Sequence, residues 1–102
     1  MNILVCICSY KRNEALSYCL KSFKKALVPP DINIQFLIVD NTENAGAKIL
    51  IDKFKRYFKF KIFYINEKKR GVVFARNRCL AEIKKRNCDY FAFFDDDGEI
   101  DK

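Results

Sequence analysis

Residues 95–97 are three consecutive aspartates, reached directly from the apolar run "YFAFF". Neighbouring carboxylates repel, and one of them tends to hold its proton unless a cation stands between them. Such a cluster is either solvated and inert or built to hold a cation. Mg²⁺ or Mn²⁺ would suit it, since both prefer hard oxygen ligands and commonly take one or two carboxylates together with substrate phosphates. The other residue types narrow the chemistry. There is no histidine, and the five cysteines form no CxxC pair, so a zinc site and a disulfide framework are both disfavoured. Cys6 and Cys8 lie in the apolar run "ILVCICS", where small buried thiols are ordinary core residues. The three glycines, at 46, 71 and 98, make neither a GxGxxG nor a P-loop, so a glycine-rich phosphate cradle is not expected. A divalent ion bridging diphosphate oxygens to carboxylates is the remaining way to hold a nucleotide's phosphates.

The elements that must position these residues alternate in period. "ILVCICS" (3–9) is a continuous apolar run of strand length, and 15–27 carries apolar residues at 16, 19, 20, 23 and 27, one face of a helix. Asn13 stands at an N-cap position, and Pro29-Pro30 stops the helix. "QFLIVD" (35–40) is a second strand. Residues 47–58 place Ala47, Leu50, Ile51, Phe54 and Phe58 on one helical face. "FKIFYIN" (60–66) is a third strand, 72–86 a third helix through Val72, Ala75, Cys79 and Ile83, and "YFAFFD" (90–95) a fourth strand. The order β-α-β-α-β-α-β predicts an α/β fold: three layers, α/β/α, around a mostly parallel four-stranded sheet. Near-continuous apolar strands predict burial on both faces. Ligands of open parallel sheets bind outside the strands' carboxyl ends, where strand order reverses. Those ends read Ser9-Tyr10, Asp40-Asn41, Asn66-Glu67 and Asp95-Asp96-Asp97, all polar.

The 102 residues make one domain, with half the residues hydrophobic and enough aromatic side chains for a packed core. Twenty basic against 13 acidic residues give a net charge of +7, which suits a phosphorylated small molecule, an anionic membrane surface or nucleic acid, or merely solvates the helices. No apolar stretch is long enough to span a membrane, no secretory signal is legible, and free thiols fit a reducing, cytoplasmic compartment.

The segments "VCICSYKRNEALSYCLKSF", "FLIVDN", "NEKKRGVVFARNRCL" and "FAFFDDDGEI", in this order and spacing, resemble the nucleotide-sugar-binding half of family 2 glycosyltransferases with the GT-A fold. The resemblance covers nearly the whole chain. It implies that Tyr10 packs against a nucleobase, with Cys8 and Ser9 lining the same wall. Asp40 would accept a hydrogen bond from a uracil-like edge, or else cap the next turn. Gly71 would let the nucleoside approach, and Arg76 and Asn77 match the family's "ARN". Arg76 reads equally well as the ion-pair partner of a strand-end carboxylate. Asp95 and Asp97 would be the DxD pair, with Asp97 on a Mn²⁺ or Mg²⁺ ion and Asp95 or Asp96 facing ribose or a metal-bound water. The implied reaction is an inverting transfer from a nucleoside-diphosphate sugar, most simply a UDP-sugar, to a saccharide or lipid-linked acceptor. The acceptor site and general base would lie beyond residue 102. Peripheral membrane association and a homo-oligomer are compatible with this reading.

Two other classes are weighed against it. A receiver-type signalling module needs its acidic pair after the first strand, where "SYKR" stands instead. A nucleic-acid-binding domain needs a basic stripe interleaved with exposed aromatics, whereas the aromatics here fall mostly on inward-facing positions, so no nucleic-acid partner is expected.

Overall fold

The computed structural model describes residues 1–10, 13–23, 28–42, 46–86 and 88–95; the side chains of 13, 15, 57, 72, 94 and 95 are not described. Seven elements follow one another: β1 (Asn2–Ser9), α1 (Asn13–Ser22), β2 (Asn33–Asp40), α2 (Lys48–Tyr57), β3 (Lys61–Asn66), α3 (Val72–Lys85) and β4 (Tyr90–Asp95). The strands pair in parallel, in the order β3-β2-β1-β4. Parallel neighbours cannot be joined by a tight turn, and each crossover here is a helix.

The alternation of Cβ atoms along each strand sorts the core into two clusters. On one face Val5, Ile7, Phe36, Ile38 and Ile62 meet Leu16, Cys19, Leu20 and Phe23 at α1, and Ala47, Ile51 and Phe54 at α2. Phe36 centres this cluster, with ring centroids of Phe23, Phe58 and Phe60 at 4.7, 5.3 and 5.5 Å. On the other face Leu4, Cys6, Leu37 and Val39 meet Ala75 and Cys79 of α3. Two helices on one side and one on the other give the three layers the sequence predicts.

Register is pinned where the strands begin. Asp89 accepts from the Asn2 amide at 2.7 Å and returns its own N–H to the Asn2 carbonyl at 2.8 Å, while Asn33 N–H bonds the Met1 carbonyl at 2.8 Å. A one-residue slip would turn every core side chain to the wrong face, so these bonds also fix which residues meet at the opposite rim.

Two sequence expectations change. β1 and β2 are buried as expected, but β4 is an edge strand: Tyr90, Phe91 and Phe93 remain 60%, 49% and 40% exposed. α3 lies against β1 and β2, so an apolar strand with one neighbour is only half covered. The expectation that the aromatics fall mostly inward has exceptions in Tyr90, Phe91 and Phe93 of β4, and in Tyr18 and Phe74. The first helix, predicted over 15–27, begins at Asn13 and is described to Ser22, and 24–27 lie outside the described residues.

Candidate functional site

Chain order runs outward from β1 to β2 to β3, then returns to the other side of β1 with β4. Strand order therefore reverses between β1 and β4, the crevice where open parallel sheets bind ligands. Register makes Cys8 the direct neighbour of Asp95 across that crevice, so β4 ends at Asp95 beside the Cys8-Ser9-Tyr10 end of β1. The side chain of Asp95, and Asp96 and Asp97 altogether, lie outside the described residues.

Three observations characterise the β1 wall. Ser9 is 2% exposed, and among the described residues its hydroxyl has no hydrogen-bond partner. A buried hydroxyl left unpaired costs about 1–3 kcal/mol, and at a switch-point crevice it is the kind of group a polar ligand completes. Tyr10 is half-buried, with the Arg70 guanidinium 4.8 Å from its ring centroid. Cys8 is half-buried, its Sγ 3.6 Å from Cys79 Sγ. The Cys79 thiol is pushed up to about 12, first by its hydrogen bond with Cys6, with burial adding and the Cys8 bond opposing. A thiol so strongly protonated is packing, not a nucleophile.

The β2 and β3 rim is built differently. Asp40 is fully buried. Its Oδ1 accepts from Thr42 N–H at 3.1 Å and Thr42 Oγ1 at 2.7 Å, and its Oδ2 accepts from Ala47 N–H at 2.8 Å and Tyr64 O–H at 2.6 Å. Burial, then the hydrogen bond to Asp40 and that residue's charge, push the Tyr64 phenol well above its usual value. A carboxylate offers about four acceptor positions, and all are taken from within the chain. Ala47 stands at the N-cap of α2 with no side-chain cap of its own, so Asp40 supplies that cap across the loop. These bonds give Asp40 a capping role, and a base-edge contact would have to share one of these oxygens.

Asn41, 5% exposed, continues the pattern. Its N–H bonds the Ser9 carbonyl at 2.7 Å, its Nδ2 donates to the carbonyls of Glu67 and Lys69 at 2.9 and 2.8 Å, and its Oδ1 accepts from Gly71 N–H at 2.9 Å. Asn66 Nδ2 likewise donates to the carbonyls of Asp40 and Thr42. The polar ends of β2 and β3 hold loops together, while the ends of β1 and β4 face the crevice.

Gly71 has φ +132° and ψ +144° immediately before α3, backbone that side-chain-bearing residues rarely adopt. Arg76 and Asn77 are exposed on α3. Among the described residues, Arg78 pairs with a rim carboxylate, 3.9 Å from Glu67, while an ion pair of Arg76 with the 95–97 carboxylates falls outside the described residues. Sequence reasoning missed Arg70 and the Asn41 latch. Arg70 carried only the signal of a short "KKR", and Asn41 looked like part of a turn.

Among the described residues no group of three or more His, Cys, Asp or Glu side chains could hold a metal ion. The donor set left for a divalent ion is the 95–97 run, whose hard carboxylate chemistry fits Mg²⁺ or Mn²⁺. No helix among the described residues is long and apolar enough to cross a membrane.

A parallel three-layer sheet with its polar crevice between β1 and β4 is an open α/β domain of the kind that takes ligands at its strand ends, and comparison with known proteins gives its family. The family model of Glycosyl transferase family 2 matches residues 4–102, and the chain belongs to that family. It is 29% identical over 100 residues to the succinoglycan biosynthesis protein ExoM of Rhizobium meliloti (strain 1021), covering 98% of this chain and 31% of ExoM. Among solved structures it resembles S. aureus TarS 1–349, at TM-score 0.80 and 20% identity, covering all of this chain and 29% of that one. TarS 1–349 in complex with UDP-GlcNAc matches at TM-score 0.77, again at 20% identity and over 28% of its chain. The TarS likeness shows the GT-A fold, and the chain spans about a third of ExoM's length or less.

Proposed function

We propose that this domain binds the donor of a family 2 glycosyltransferase, a nucleoside-diphosphate sugar of the UDP type, in the crevice between β1 and β4. The observation that carries the reading is the pairing of Cys8 with Asp95 at the reversal of strand order, beside the buried, unpartnered Ser9 hydroxyl. The UDP-GlcNAc complex of TarS supports the ligand class.

The base would lie against Tyr10, bounded by Arg70, with Cys8 and the Ser9 hydroxyl forming the wall. Gly71 gives the loop before α3 its close approach, and Arg76 and Asn77 stand at the start of that helix, where a cation and an amide suit an anionic ligand. Asp97, together with Asp95 or Asp96, would hold Mn²⁺ or Mg²⁺, which when bound supplies Lewis-acid stabilisation of charge on the leaving diphosphate. Asp40 serves the site by fixing α2 and its loop. The proposed transfer is inverting, to a saccharide or lipid-linked acceptor at the cytoplasmic membrane face, and the acceptor's general base is assigned to no described residue.

The test is thermal unfolding with UDP, with and without Mn²⁺. A ligand that binds only the native state stabilises it by mass action, by about 2.7 kcal/mol at a hundredfold excess over Kd. The expected result is a UDP-dependent gain that Mn²⁺ enlarges in the wild type. Asp97→Asn should keep its unliganded midpoint and lose the Mn²⁺-dependent part. An equal Mn²⁺ gain in that variant contradicts the metal assignment. Stabilisation by acetyl phosphate instead of UDP contradicts the whole reading.

A further inference from the structure

We propose that Asn41, which faces no ligand in the reading above, is the positioning residue that sets the donor pocket's second wall. It does so by fixing the 67–71 loop so that Arg70 covers Tyr10. The inference rests on the donor-binding reading for its consequence, and on hydrogen bonds alone for its geometry.

Asn41 joins three parts of the rim. Its backbone N–H holds the end of β1 through the Ser9 carbonyl. Its side chain spans the loop after β3, donating twice, to Glu67 and Lys69 carbonyls, and accepting once, from Gly71 N–H. Arg70 lies between two of those anchors, and its guanidinium sits over Tyr10. Holding the backbone on both sides of Arg70 fixes where its side chain starts, and from there it reaches the Tyr10 ring. The residue two positions before Gly71 is held by a donor and Gly71 itself by an acceptor, so the site requires an amide. A rotated amide would set its oxygen against two carbonyl oxygens and its NH₂ against a backbone N–H, so the network admits one orientation.

A carboxylate makes a sharp test. Aspartate at 41 keeps the acceptor for Gly71 but places a second oxygen about 2.8–2.9 Å from two carbonyl oxygens, where the amide had donated. The loop should then leave its closed position for most of the time. Apparent affinity falls in proportion to the competent fraction, and two lost hydrogen bonds suffice to reduce that fraction about tenfold.

The experiment measures two quantities on wild type, Asn41→Asp and Asn41→Ala. The first is hydrogen exchange at the Gly71 amide without ligand. The second is UDP affinity by calorimetry, repeated in an Arg70→Ala background. The expected exchange pattern is protection of Gly71 in wild type, reduced about tenfold in Asn41→Asp and lost in Asn41→Ala. UDP should bind about tenfold more weakly to both variants, while in the Arg70→Ala background Asn41→Asp adds no further loss, because the two act through one wall. Independent, additive losses overturn the proposal, since a merely structural asparagine would weaken binding whether or not Arg70 is present. Equal Gly71 protection in Asn41→Ala also overturns it. If wild type binds no UDP, the donor-binding reading fails, while the exchange pattern still decides whether Asn41 holds the loop.

Discussion

Replacing Asp40 by asparagine separates the two roles this residue could play. The carboxylate is fully buried and accepts from Thr42 N–H, Thr42 O–H, Ala47 N–H and Tyr64 O–H, at 2.6–3.1 Å. An amide in its place turns one oxygen into an NH₂ donor. In one orientation that donor meets Ala47 N–H, in the other Thr42 N–H, and neither can answer as an acceptor. Tyr64 and Thr42 hydroxyls can rotate to accept, so the unavoidable loss is one buried backbone N–H. Leaving such a donor unpaired costs about 1–3 kcal/mol, a large share of the 5–15 kcal/mol that holds an ordinary domain together. For a chain of this length each kcal/mol moves the thermal midpoint by about 4–8 °C, so a fall of at least about 4 °C is expected. Thermal and urea unfolding followed by far-UV circular dichroism, without any ligand, measure the midpoint and the free energy directly. A midpoint shift worth under about 0.5 kcal/mol, the usual range for an inconsequential substitution, refutes the capping role and returns Asp40 to the ligand.

Two further outcomes follow from the same rim. The native Tyr64 phenol is raised above its usual value by burial first and then by Asp40. Its stabilising contribution is therefore fully present below that value and is lost as pH rises towards the native one. The stability difference between wild type and Tyr64→Phe should shrink above about pH 10 in urea titrations, and a pH-independent difference argues against it. Gly71→Ala forces a side-chain-bearing residue into φ +132°, ψ +144°, while its new Cβ meets only the movable Phe74 ring at 3.4 Å. The cost is backbone strain of about 1–3 kcal/mol with weaker UDP binding, and unchanged stability and affinity would show that the loop does not need this conformation.

Much of this architecture could be read from periodicity. The seven elements fall where apolar spacing changes from strand to helix period, because the core demands one buried face per helix and two per inner strand. β4 escaped that logic. "YFAFF" reads like a central strand, yet burial on both faces depends on neighbours, and an apolar run does not state its place in the sheet. The crevice was legible because polar residues close every strand, and topology says where such ends collect. What each end does was not. Asp40 and Asn41 share a turn-like dipeptide, and only the donors around Asp40 and the carbonyls around Asn41 reveal that both hold the scaffold. Arg70 reaches Tyr10 from a loop some 60 residues away in sequence, a contact no local pattern encodes.

Paramagnetic broadening by Mn²⁺ in the presence of UDP tests the site most directly, read residue by residue from amide resonances. Selective broadening at Ser9, Tyr10 and Asp95, with Asn2 and Asn33 at the opposite end of the sheet left sharp, is the expected result. Broadening centred elsewhere, or the same broadening of Ser9 and Tyr10 when UDP is omitted and Asp97 is replaced by asparagine, would contradict a donor held between the first and fourth strands.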